Sequence, residues 1–174
     1  MVNYRRVLIP GGSFFFTLAL RDRTADTLVR HIAHLRESFC LVRFKQPWRT
    51  EAIVIMPDHL HALWALPQGD TDYSARWRAI KSTFVRRLRR TGVAVGTNEK
   101  GEADIWQRRF WEHAIRDEDD FARHVDYIHI NPVKHGYVAQ AMDWRWSSMH
   151  RYVKLGILPS DWAVEPTGEG GFGE

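Results

Sequence analysis

Cysteine is almost missing from the chain: Cys40 is the single one among 174 residues. One thiol closes no internal disulfide and builds no cysteine-based zinc site, so a metal would have to sit on histidine, carboxylate or amide groups. Long apolar runs are missing too. The longest, Phe14 to Leu20, is interrupted by Thr17, whereas a bilayer-spanning helix needs about 20 apolar residues. No signal-like cleavage pattern follows it. The expectation is a soluble, cytoplasmic protein with no membrane partner. What is abundant excludes disorder throughout, because 44% of residues are apolar and 13% aromatic, enough for one core.

Positive charge is absent from the end of the chain. Between Pro159 and Glu174 stand Asp161, Glu165, Glu169 and Glu174 with no lysine or arginine, so the net +4 of the whole conceals a body of +8 and a tail of −4. A basic body of this kind favours polyanions. We read residues 1–158 as one domain and 159–174 as an acidic, flexible tail.

Pro10-Gly11-Gly12 is a turn signal before the aromatic strand Ser13 to Leu18. Leu28, Ile32, Leu35 and Phe39 predict a helix over Thr24 to Phe39, capped by Thr24 and stopped before Pro47. Glu51 to Met56 and His59 to Leu66 predict a hairpin turning at Pro57-Asp58. Trp77, Ile80, Phe84 and Leu88 mark a second helix, and Gly92 to Asp104 reads as a loop. Ile105 to Ile115 predicts a strand, Asp117 to Asp120 an acidic helix start, and Pro132 a limit near Asn131. A short helical piece is expected over Trp146 to Val153. The order β, α, β, β, α, β, α predicts an α+β ferredoxin-like sandwich, an antiparallel sheet with helices on one face.

Three features carry chemistry. In Met56-Pro57-Asp58-His59-Leu60-His61, strand alternation points His59 and His61 the same way. Two adjacent imidazoles suit a divalent cation, or equally a hydrogen-bonded pair near a sheet edge. Tyr127 and Asn131, four apart, share a helical face, where an amide oxygen can meet a cation beside a phenol. They can also be a core tyrosine and a helix-ending asparagine. His124, one turn before Tyr127, is an auxiliary ligand or base, or merely solvated. The third feature is the acid-free helix carrying Arg76, Arg78, Lys81, Arg86, Arg87, Arg89 and Arg90. Solvated helices usually mix signs for i, i+4 support, so this face points to a phosphate backbone, with Arg108, Arg109 and Lys134 extending it. The eight tryptophans are stacking platforms for unpaired bases or, for most of them, core.

These strings, in order, resemble the REP-associated tyrosine transposases, members of the single-tyrosine branch of the HUH transposases and nucleases. The resemblance rests on NYRR, PGGSFFFTL, MPDHLHALW, WQRRFWEHAIRDEDDF, HVDYIHINPVKHGYV and DWRWSSMHRYV, and runs to about Trp162. It implies His59, His61 and Asn131 as ligands of one Mg²⁺ or Mn²⁺ and Tyr127 as the catalytic nucleophile. It implies REP-type single-stranded DNA hairpins as partner, cleaved through a 5′-phosphotyrosine, with no nucleotide cofactor. A monomer associated with the nucleoid is expected. The alternative is a REP-hairpin binding protein with a regulatory or chromosome-organising role and no cleavage.

Overall fold

Phe14, Phe15 and Phe16 are all fully buried, although consecutive strand residues point to opposite faces. The first strand is therefore covered on both sides, and that decides the architecture. The computed structural model describes residues 6–163; most of the expected acidic tail, from residue 164 onward, and the NYR of NYRR lie outside the described residues. Strands β1 (Ser13–Ala19), β2 (Arg49–Ile55), β3 (His59–Ala65) and β4 (Trp111–Ala114) form a fully antiparallel sheet in the order β2-β3-β1-β4. Between them run α1 (Thr27–Arg30), α2 (Ile32–Lys45) and α3 (Tyr73–Arg90). The helices α4 (Glu118–Lys134) and α5 (Met149–Lys154) follow β4. Among the described residues no helix is long and apolar enough to cross a membrane.

The crossover helices α2 and α3 lie on one face, as the ferredoxin-like order requires. They bury Leu35, Trp77, Ile80 and Phe84 against Phe14, Phe16, Leu60, Ala62 and Trp64. Trp64 and Trp77 stack at 3.9 Å between ring centroids, and Trp48 packs tilted by 31° against Trp64 at 4.4 Å. These three indoles are core. The expectation that all helices share that face is corrected by α4. Val125, Tyr127 and Ile128 pack with Phe15, Val54 and Leu63 on the opposite face, because alternation gives the sheet a second apolar surface that must also leave water.

Other boundaries move for local reasons. The first helix is broken at His31 (φ −113°, ψ 34°), and the Thr24 hydroxyl donates to Asp22 Oδ1 at 2.6 Å instead of capping. Helix α2 then continues to Lys45, before Pro47. The expected strand over Ile105 to Ile115 shrinks to β4. Thr17 pairs Trp111 while Leu20 pairs Trp106, so residues 107–110 face only Leu18 and Ala19 and bulge out of the ladder. Pro132 does not end α4. It sits in the last turn, where only one carbonyl loses its donor, and His135 N–H still reaches Asn131 O at 3.0 Å. The acidic start behaves as expected: Asp117 accepts from Asp120 N at 2.7 Å, with Glu118, Asp119 and Asp120 in the first turn.

Candidate active site

The site forms where β3 faces α4. His59 and His61 alternate with Leu60 and Ala62 of the opposite core, so both imidazoles turn toward α4, their rings 5.1 Å apart. The antiparallel register sets Thr17 directly across from His61, and Thr17 Oγ1 lies 2.9 Å from His61 Nδ1. His59 Nδ1 lies 2.8 Å from Asp58 Oδ1, and Arg23 Nε donates to the other oxygen of Asp58 at 2.5 Å. Burial pushes the His59 imidazole below its ordinary value, against the Asp58 carboxylate, which keeps it the neutral ring a metal requires.

Tyr127, on the inward face of α4, lies 5.2 Å from the His61 ring and 6.0 Å from Phe15, centroid to centroid. Asn131, one turn on, is completely buried. The structure thus brings His59, His61 and Tyr127 together, with Asn131 buried one helical turn beyond the tyrosine. The donor set fits a hard or borderline cation: two imidazoles held by their Nδ1 atoms, plus an amide oxygen. His59 Nε2 is buried with no hydrogen-bond partner among the described residues, the state expected of a nitrogen kept for coordination.

Two further side chains enter here. Lys134 Nζ donates to the Tyr127 hydroxyl at 3.3 Å and lies 4.9 Å from the ring centroid. The sequence places Lys134 on the DNA surface; the fold sets it at the tyrosine. His135, which no sequence pattern singles out, brings its ring within 5.1 Å of His59. The seven-residue spacing of Tyr127 and Lys134, two helical turns, is the signal for the lysine, and a helix limit at Pro132 hides it.

His124 is buried and its Nδ1 donates to Asp120 O at 2.7 Å. Its ring stacks on His113 at 4.7 Å and lies 4.8 Å from Phe15. Burial lowers its pKa below the ordinary imidazole value. His113, Asp120 and His124 bring ligand-type atoms within 4.8 Å of one another. Asp120, however, already accepts from His113 at 2.8 Å, from Arg116 N at 3.0 Å and from Arg123 at 3.5 Å. Two guanidinium groups on the same carboxylate make this an ion-pair network that fixes the start of α4.

The basic helix divides. Arg78, Lys81, Arg86, Arg89 and Arg90 line one broad cleft of about 1310 Å³ together with Arg108 and Trp106 from the 92–110 segment. Lys81 donates to Gln107 O at 2.9 Å, and burial lowers its pKa to about 8. Arg109 is exposed outside that lining. Arg76 is a correction: it is buried, clamped to Asp70 at 2.6 Å and to the backbone of Pro47 and Asp72 at 2.8 Å each. Arg87 is paired with Glu37 of α2. Acids from other elements neutralise these two positions, which a count within the helix could not reveal.

Fold and site together define a class: an antiparallel α+β domain that sets one helical tyrosine against a histidine pair on a central strand. No family model matches the chain. It is 46% identical over 167 residues to the REP-associated tyrosine transposase of Escherichia coli, covering 96% of this chain and 94% of that one. A relative in Haemophilus influenzae with the same family name is 46% identical over 168 residues, covering 95% and 96%. A solved structure of a REP-associated tyrosine transposase bound to a REP hairpin superposes with a TM-score of 0.89 at 44% identity, covering 100% of this chain and 98% of that chain. The chain belongs to the REP-associated tyrosine transposases.

Proposed function

We infer that the protein is a single-strand DNA endonuclease and strand transferase that acts on REP-type hairpins through a 5′-phosphotyrosine. The observation that carries this reading is the Tyr127 ring 5.2 Å from His61, on a chain of this family. His59, His61 and Asn131 would hold one Mg²⁺ or Mn²⁺, which when bound supplies positive charge to a phosphate oxygen.

The chain's own groups do the rest. The Tyr127 oxygen, its proton released to solvent, attacks phosphorus in line; its bond to phosphorus forms as the bond from phosphorus to the 3′-oxygen breaks, and that oxygen takes a proton from water and leaves as a 3′-hydroxyl. Lys134 Nζ, already at the phenolic oxygen, stabilises the negative charge that develops there as the proton departs. The phosphoester is conserved in the tyrosine linkage, so a second 3′-hydroxyl can reverse the step and join strands with no nucleotide cofactor. The α3 cleft holds backbone phosphates, which position the strand and leave sequence to unpaired bases. Tyr127 reaches His61 of its own chain, which supports a monomer with residues 1–158 as one catalytic unit, working on chromosomal DNA in the cytoplasm.

The test is incubation of a labelled REP-type hairpin oligonucleotide with Mn²⁺. Wild type is expected to give a denaturant-resistant protein–DNA adduct and Tyr127→Phe none. Retention of the hairpin without any adduct would favour the non-catalytic binder, and free 5′-phosphate ends would indicate water as the nucleophile.

A further inference from the structure

A second cleft, of about 370 Å³, lies between α2 and the 145–151 segment, toward the α2 and α3 core rather than the core that holds Tyr127. Its outer wall exists because the chain after η1, a single 3-10 turn at Ala141–Asp143, returns along the open edge of β2. Ile55 N–H donates to Trp146 O at 2.9 Å, and Ser148 N–H to Ile53 O at 2.8 Å. This pairing covers an edge that would otherwise present free backbone groups. It also sets Trp146 opposite Phe39 across a floor containing Ile53, all three only partly buried.

The rim is arginine. Arg36 and Arg43 stand one helical heptad apart on α2, Arg145 and Arg151 face them from the other side, and among the described residues no Asp or Glu lines the cleft. Arg145 holds its guanidinium 4.4 Å from the centroid of the Trp146 ring. An apolar, aromatic floor under a rim of four arginines is complementary to one chemical class: a flat, apolar-faced base joined to an anionic phosphate. The volume falls within the roughly 300–1,000 Å³ range of small-ligand sites. A base inside a duplex has both faces stacked and cannot enter.

We propose that this cleft is a binding site for an unpaired nucleotide of single-stranded DNA, with the base on Trp146 and its phosphates on Arg43 and Arg145. The assignment rests on the DNA-binding part of the preceding reading and places the unpaired strand apart from the α3 cleft. Cys40, the chain's one thiol, is exposed and lines the cleft, which makes it a built-in reporter.

The experiment uses the full chain, the single strand dT12 and a blunt 16-base-pair duplex. Alkylation of Cys40 by N-ethylmaleimide is expected to slow at least fivefold when dT12 saturates the protein, and not with the duplex at equal occupancy. Trp146→Ala and the double variant Arg43→Gln, Arg145→Gln should each weaken dT12 binding about tenfold and leave duplex affinity unchanged. If Trp146→Ala loses its circular-dichroism signal, the surface double variant decides. Unprotected Cys40 in a saturated dT12 complex, equal protection by duplex, or unchanged dT12 affinity in the double variant would overturn the assignment and leave the catalytic reading standing. Failure of both DNAs to bind would overturn the DNA-binding reading and this site with it.

Discussion

Lys134 Nζ lies 3.3 Å from the phenolic oxygen of Tyr127, two turns earlier on the same helix. An exposed side chain thereby donates to the hydroxyl of a buried tyrosine. Lys134→Met should slow adduct formation about a hundredfold to a thousandfold by single-turnover kinetics, because one donor to a developing oxyanion is worth roughly that. DNA affinity should change little. Weaker DNA binding with an unchanged rate would return Lys134 to the DNA surface.

The chain Arg23, Asp58, His59 orients the first histidine from behind, with contacts of 2.5 and 2.8 Å. Asp58→Ala removes the acceptor that fixes the imidazole, and such partners typically cost about 10–100-fold in metal affinity. Mn²⁺ titration followed by electron paramagnetic resonance should show a weakening of that order with the thermal transition retained. Equal affinity in the variant would remove Asp58 from the site.

Asp120 joins β4 to the start of α4. Burial disfavours its charge, but the hydrogen bonds from His113 and from the Arg116 backbone and side chain outweigh this and hold the carboxyl well below the ordinary range. A depressed native pKa contributes stability above the unfolded value of about 3.9, and that stability drains as pH falls below it. Denaturant melts should show wild type losing stability below about pH 4 more steeply than Asp120→Ala, which should be destabilised by roughly 3–5 kcal/mol at pH 7. Parallel pH profiles for the two proteins would contradict this.

For the α3 cleft, charge reversal at Arg86, Arg89 and Arg90 should flatten the dependence of DNA affinity on salt, by about 0.7–0.9 in logarithmic slope for each phosphate no longer neutralised. Arg76→Ala should leave the slope intact and lower the melting temperature, since Arg76 is 3% exposed and braces the loop before α3. A flattened slope for Arg76→Ala would place the strand elsewhere.

Much of this is written in local patterns. Alternation alone puts His59 and His61 on one side of β3, and spacing alone puts Tyr127 and Asn131 on one side of α4. What periodicity does not say is which face of the sheet α4 covers. The pattern holds a clue: Phe14-Phe15-Phe16 is apolar on both faces, and a strand of that kind needs cover on both. Pro132 misleads for a different reason. In a last turn the proline's missing N–H strands a single carbonyl, so the helix runs on and carries Lys134 back to Tyr127. The fates of Arg76 and Arg87 depend on Asp70 and Glu37, which tertiary structure alone brings to them.

The most direct measurement is tandem mass spectrometry of the protease-digested Mn²⁺ reaction with a REP-type hairpin oligonucleotide. The expected result is a nucleotide phosphate attached through its 5′ end to the peptide containing Tyr127, with a matching free 3′-hydroxyl fragment. An adduct on Tyr137 or Tyr152, or cleavage with no adduct, would contradict the assignment of Tyr127 as the nucleophile.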